Sequence, residues 1–214
     1  MTRSVPVLVL VLLLLVSCVE RLEQPGRINS FRYYPLNIED EYIYGGKIRT
    51  LMTVRELNDL YTQALLDSTG ELVLWQDIIK GERSLGLDNV FLFESDIPSI
   101  HFKPALPCAP WSNLVGDTLL INAIEIRGDS INSHLRVQLK YEIMAIDAVA
   151  TPIGQIEDCI EMQVVYRTLD ETAAKFLDGE YHIWYAPGIG IIKYAAPADS
   201  GQLLQASIGS STYP

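Results

Sequence analysis

The chain reads as an all-β protein with little helix, and three observations carry that reading. Leu135-Arg136-Val137-Gln138-Leu139-Lys140-Tyr141-Glu142-Ile143 alternates apolar and polar residues over nine positions without a break. That period of two belongs to a strand with one dry and one wet face. A second run repeats it: Ile156, Ile160, Met162, Val164 and Tyr166 fall on one side, and Glu157, Glu161 and Gln163 on the other. Between the two lies Thr151-Pro152-Ile153-Gly154, whose proline and glycine supply turn chemistry, so the runs are expected to form an antiparallel hairpin.

Taken in order, the chain opens with Arg3 followed by an unbroken apolar run over residues 7–16 and then Ser17-Cys18. A basic start, a short apolar stretch and a small residue before a cut site describe a secretory signal peptide. Ten apolar residues fall short of the roughly 20 that span a bilayer as a helix. Leu15-Val16-Ser17-Cys18 resembles the lipobox of bacterial lipoproteins, in which the chain is cut before the cysteine and the cysteine is acylated with chains such as palmitate. The resemblance implies a leader over 1–17 and a lipid on Cys18. Each buried acyl methylene contributes about 0.8 kcal/mol, and more than one chain is needed for firm anchoring. Val19 follows the cysteine. In enteric bacteria an aspartate there holds lipoproteins at the inner membrane, so the resemblance points to the outer membrane, facing the periplasm, where the cell has one.

Residues 18–30 are expected to be the lipidated cysteine and a flexible tether; they are polar, carry Pro25-Gly26 and show no period. A single β-rich domain is expected over 31–210. Besides the two runs above, strands are expected at 42–54, 60–66, 71–78, 90–93, 118–126, 180–185 and 191–194. Ser68-Thr69-Gly70 and Gly128-Asp129-Ser130 supply turns. Residues 53–67 fit a helix as well as a strand; Tyr61, Thr62 and the closing Gly70 favour the strand. Residues 97–115 carry Pro98, Pro104, Pro107 and Pro110, which predicts a long loop or an edge segment.

The chain has 214 residues, 16 Lys+Arg against 27 Asp+Glu and a net charge of −11, and it loses Arg3 with the leader. An acidic surface of this kind lacks the basic footprint that nucleic acids require. It also leaves membrane attachment to the lipid rather than to the domain. Cys108 and Cys159 remain beside Cys18, and an oxidising address would permit them to pair, though they can equally be free. No CxxC or Cys/His cluster points to zinc, and no cofactor is expected.

Three short motifs resemble those of uncharacterised bacterial lipoproteins. Tyr34-Pro35-Leu36-Asn37-Ile38-Glu39-Asp40-Glu41-Tyr42-Ile43-Tyr44 is similar to Phe-Pro-Leu-x-x-Gly-x-x-Trp-x-Tyr, with Glu39 where that motif has glycine. Thr151-Pro152-Ile153-Gly154-Gln155-Ile156-Glu157-Asp158-Cys159 resembles Val-Pro-Ala-Gly-Thr-Phe with a cysteine three residues on. Trp184-Tyr185-Ala186-Pro187-Gly188-Ile189-Gly190-Ile191-Ile192-Lys193 is similar to Trp-Tyr-Ala-Pro-Gly-Val-Gly-Leu-Val-Lys. The resemblance implies a curved antiparallel sheet or an incompletely closed β-barrel, distantly like the carriers that ferry lipoproteins across the periplasm. It brings no catalytic residues. Physics alone reads the third motif as a hairpin, with Pro187 ending a strand and Gly188 and Gly190 allowing positive φ.

His101, His134 and His182 sit in no catalytic or metal motif, and no serine lies in Gly-x-Ser-x-Gly. The acidic groups Glu39-Asp40-Glu41, Glu94/Asp96 and Glu157-Asp158 match no EF-hand loop and read as solvated surface. Strict alternation turns Asp158 to the dry face and Cys159 to the wet one, so either a bulge or a rim position is expected there. Tyr141, Met162, Tyr166, Tyr181 and Tyr185 share the dry side and would line an apolar groove in a half-closed sheet or form the core of a closed one. The expected role is a non-enzymatic, membrane-anchored binding domain for an apolar ligand or an envelope protein. The alternative is a structural or assembly role, with a hydrolase a more distant third.

Overall fold

The computed structural model describes residues 27–46, 48–93, 99–128, 134–171, 175, 177–197 and 199–214. The leader, Cys18 and most of the expected tether lie outside them. Thirteen strands are present among the described residues: β1 (Glu41–Tyr44), β2 (Ile48–Leu57), β3 (Leu60–Asp67), β4 (Leu72–Lys80), β5 (Leu85–Leu92), β6 (Ser99–Pro107), β7 (Thr118–Arg127), β8 (His134–Thr151), β9 (Gly154–Thr168), β10 (Gly179–Ala186), β11 (Gly190–Ala196), β12 (Asp199–Ile208) and β13 (Ser211–Tyr213). The one helical element among them is a 3-10 turn at Ser30–Arg32. Each strand pairs antiparallel with the next, and β1 returns to β12 through Glu41↔Ser207 and Tyr42↔Ala206. Twelve strands therefore form an antiparallel barrel. β13 folds back on β12 through Ala206↔Tyr213, beyond the point where β11 ends. The all-β class and the curved antiparallel sheet are as the sequence predicts.

The expected hairpin is β8–β9, paired antiparallel from Val137↔Thr168 to Thr151↔Gly154 with register shifts after Ile143 and after Asp147. Val137, Leu139, Tyr141 and Ile143 are buried on the dry face and Leu135 is half-buried. β7 covers β8 only as far as Glu142, and β10 covers β9 only down to Ile160. The rest of the hairpin is a two-stranded arm beyond the barrel. The bulge alternative describes Asp158: the register shifts between Asp147 and Val149, Asp158 takes φ 56°, and Cys159 is turned inward. Residues 53–67 are strand, split by a turn at Asn58-Asp59 in which Asn58 adopts φ 55°. Asn tolerates that left-handed geometry better than most residues.

Three expectations need correction. The run 42–54 is two strands, because the chain turns at Gly45-Gly46. A Cβ on Gly46 would stand 2.4 Å from the Tyr194 hydroxyl and 2.8 Å from the Ser200 carbonyl. The proline-rich stretch contains β6, an interior strand of the ring. Four residues, Phe102 to Ala105, bulge opposite Asp88 on β5, and pairing with β7 stops at Lys103, so Pro104 sits in neither ladder and its missing N–H costs no sheet bond. The strand expected at 90–93 begins earlier, at Leu85.

The turns of β2–β3, β4–β5, β6–β7, β10–β11 and β12–β13 and the β8–β9 arm share one end of the barrel. Residues 27–40 lie across that end as a plug. Arg27 bridges to Ser112, Ile28 N–H donates to the Trp111 carbonyl, and Ser30 N–H donates to the Arg83 carbonyl at 3.2 Å. The Ser30 hydroxyl donates to the Pro110 carbonyl at 2.7 Å. Tyr33 and Tyr34 of the plug are buried, and the Tyr34 hydroxyl donates to Gln63.

Candidate functional site

Of the two places expected for the five dry-side residues, groove or core, the structure shows the core, and Tyr166 also borders a shallow surface depression. Tyr141, Met162, Tyr166 and Tyr185 are buried in a core cluster with Tyr34, Ile78, Phe102, Leu139 and Ile160, and Tyr181 packs against it half-buried. Rings interlock there: Tyr34 meets Tyr185 edge-on at 6.3 Å, and Trp111 meets Tyr141 at 6.0 Å. The hydroxyls of Tyr185 and Tyr181 are engaged as well. Tyr185 donates to the Cys108 carbonyl at 2.9 Å, and Tyr181 to the Leu177 carbonyl at 2.7 Å. Burial pushes the phenols of Tyr34 and Tyr185 well above the ordinary tyrosine range. A second cluster, built on Tyr42, Tyr44, Leu51, Ile192 and Leu203, joins Cys159, Ala186 and Ile189.

The three motifs that resemble lipoprotein sequences meet at the plug end. The Gly188 N–H donates to the Arg32 carbonyl at 2.6 Å, and the Tyr44 hydroxyl donates to the Ile191 carbonyl at 2.9 Å. A Cβ on Gly190 would touch Tyr34, Pro35 and Tyr42 at 3.5–3.6 Å. Cys159, Ile153 and Ile156 of the middle motif share the second cluster with Ala186 and Ile189 of the last. Together the three hold the plug to the barrel, which is a packing role.

Cys108 and Cys159 are unbridged. Cys108 packs against the first cluster and Cys159 belongs to the second, where its thiol donates to the Ile156 carbonyl at 3.2 Å. Burial raises the Cys108 thiol to about 12 and the Cys159 thiol to about 11, so neither is a ready nucleophile. Within the acidic group Glu39-Asp40-Glu41, Asp40 is buried. One of its oxygens accepts from the backbone and side-chain amides of Asn37 and the other from the Gly209 N–H at 2.8 Å. It ties the plug to the β12–β13 turn.

The histidines stand apart. His101 contacts Asn89 and lies 3.6 Å from Asp88, while His134 is exposed. His182 sits on the outer face between Glu161 and Glu180, 2.8 Å from each, stacked on Trp184, over whose ring the Lys193 ammonium stands at 4.3 Å. Burial acts to lower the His182 pKa, but the two carboxylates outweigh it and the net shift is upward. No group of three or more His, Cys, Asp or Glu placed to hold a metal occurs among the described residues.

Sequence reasoning missed one polar centre. Glu125 is fully buried, with one carboxyl oxygen accepting from the Arg127 guanidinium and the other from the Tyr166 hydroxyl. Burial and then the Glu125 bond push the Tyr166 phenol upward. The available signal was Glu125 and Arg127 two apart on the face of β7 that also carries Leu119, Ile121 and Ala123, opposite charges beside apolar neighbours. A shallow open depression beside this centre is lined by Tyr166, Thr168, Lys175 and Asp178. A second lies between the arm tip at Pro152 and Trp184, Lys193, Gln202 and Leu204. Both are open surface rather than an enclosed chamber.

On the outer wall, away from the plug, Trp75 and Phe91 pair across β4 and β5, and Phe93 meets Trp75 edge-on at 5.4 Å. Val73 joins them, and all four are exposed.

No family model and no curated protein matches the sequence. Among solved structures, the chain is similar to a Bacteroides fragilis protein described as exported and as having a YmcC-like fold, with 10% identity over 82% of this chain and 99% of that one, at a TM-score of 0.52. It is also similar to a Parabacteroides distasonis protein described as a lipoprotein, with 11% identity over 86% of this chain and all of that one, at a TM-score of 0.47. At such identity the first likeness shows the fold alone. That fold is the closed antiparallel barrel described above.

Proposed function

We propose that this chain is an exported, lipid-anchored protein of the bacterial cell envelope, whose barrel is a non-enzymatic module engaging an envelope protein through its outer wall. The filled interior is the observation that carries the binding half of this reading. Tyr34, Tyr141, Met162 and Tyr185 occupy the place where an apolar ligand would sit, which turns recognition outward to the exposed Val73, Trp75, Phe91 and Phe93. Single exposed apolar residues are ordinary, but a contiguous aromatic patch marks an interaction surface. The leader, the lipobox at Cys18 and the motif resemblances support the envelope address. The Bacteroides fragilis protein of similar fold, described as exported, agrees with it. A scaffolding role in envelope assembly uses the same surface and differs only in the partner.

The test is fractionation of cells fed labelled palmitate, combined with photo-crosslinking in intact cells. Cys18→Ala is expected to lose the label and leave the membrane fraction or keep an uncut leader. A photoreactive residue at Trp75 is expected to give a discrete protein adduct that one at Asn122 does not. An Ala variant that is cut, unlabelled and still membrane-bound in high salt would refute the anchor. Equal crosslinking at the two positions would refute the patch.

A further inference from the structure

Resting on the lipid anchor proposed above, we infer that the plug end of the barrel is a bilayer-facing surface and that the turn at residues 114–117 inserts its apolar apex into the membrane interface. The turn is well defined. Asp117 N–H donates to the Leu114 carbonyl at 3.1 Å, and Gly116 takes φ 83°. That is the geometry of a turn needing glycine at its third position. It is tied on both flanks: the Gly116 N–H donates to the Ile143 carbonyl at 2.8 Å, the Ile143 N–H to the Asp117 carbonyl at 3.0 Å, and the Leu114 N–H to the Ser112 hydroxyl at 3.2 Å. Apices of such turns ordinarily carry Asn, Asp, Ser or Gly. Here they carry Leu114 and Val115, 49% and 63% exposed. Held by four hydrogen bonds, the apex cannot fold these side chains away.

Other exposed apolar residues share this end. Leu120 lies on β7 just below the turn and Met144 at the base of the arm, while Ile38 of the plug and Leu57 at the β2–β3 turn are also exposed. The chain's own connection says what covers them. Residue 27 enters the fold by bridging Ser112, two residues before Leu114. Nine residue steps separate Cys18 from Arg27. Such a length spans at most about 30 Å in any conformation. A lipid on Cys18 therefore attaches the fold at its plug end, beside the Leu114–Val115 apex. The aliphatic apex and the net negative chain fit insertion among acyl chains rather than attraction to anionic headgroups.

The test uses the mature acylated protein in vesicles of phosphatidylethanolamine and phosphatidylcholine. An environment-sensitive fluorophore is placed at V115C, or at T69C on the opposite end as a control. The label at 115 is expected to shift to the blue and to be quenched several-fold by lipids carrying a nitroxide in the acyl chain. The label at 69 is expected to remain in water. Flotation with the vesicles but equal, unquenched emission from both labels would overturn the insertion while leaving the anchor standing. Failure to float would overturn the anchor and this surface together. A blue shift at 115 without vesicles would assign the apex to contact between copies and overturn the membrane reading.

Discussion

Glu39 shows how much a single backbone angle decides. It adopts φ 71° at the place where the similar lipoprotein motif has glycine. Its N–H donates to the Thr53 carbonyl at 3.0 Å, which fixes the plug against β2. A left-handed conformation costs a residue with a Cβ about 1–2 kcal/mol. Its side chain is exposed, so nothing in the packing depends on it. Glu39→Gly is therefore expected to raise stability by about 1 kcal/mol despite glycine's larger unfolded-state entropy. A pair of denaturant melts measures it, and a loss of stability would show that the Glu39 side chain does something the backbone does not require. Glu125 poses the opposite case. Its burial is tolerated because both oxygens are occupied, one by Arg127 and one by Tyr166.

At the scale of elements, the β10–β11 hairpin is where sequence and structure agree most closely. Gly188 takes φ 74° with open space around its missing Cβ, whereas Gly190 takes φ 105° with the Tyr34, Pro35 and Tyr42 side chains at contact distance. Gly188→Val is expected to cost about 1–2 kcal/mol from strain alone. Gly190→Val adds crowding and is expected to cost about 3–5 kcal/mol. Thermal melts of both variants check the order; equal losses would mean that the plug yields to the added methyls.

The same hairpin carries a pH dependence. The His182 pKa is raised in the folded state by Glu180 and Glu161 against the opposing effect of burial. A raised folded value means the protonated histidine stabilises the fold fully below the ordinary value of 6.5, and that this is lost as pH rises through the folded value. His182→Gln should therefore lower Tm more at about pH 5.5 than at about pH 8.5. A deficit that is equal at both, or larger at the higher pH, would show that the ion pairs do not act.

What the sequence made legible follows from period two. β8 and β9 keep it over long runs, and their pairing and dry face were readable from that alone. β12 was not, because Gly201 interrupts it, Leu203 and Leu204 stand side by side, and the register against β1 shifts at Tyr44. Asp199 to Ile208 thus looks like a tail rather than the strand that returns to β1. β6 was hidden by Pro104, whose harmless place in a bulge is a tertiary fact. Glu125 was hidden because its face of β7 becomes interior only when the ring exists.

For the whole molecule, closure decides the reading of function. With an edge left open, the tyrosines of β8, β9 and β10 would border a groove. With β1 returned to β12 and residues 27–40 laid across one end, they become a filled core. The barrel then presents two outer regions of different character: the plug end, where residue 27 enters the fold, and the aromatic patch on the outer wall of β4 and β5. The central claim is that the barrel is full and works from its outside. Native mass spectrometry of the mature protein extracted in detergent from its own membrane tests that claim most directly. The account predicts the mass of the chain from Cys18 with its acyl groups and nothing further inside the barrel. A stoichiometric apolar molecule that stays bound after detergent is removed, and is lost in Tyr185→Ala, would contradict it.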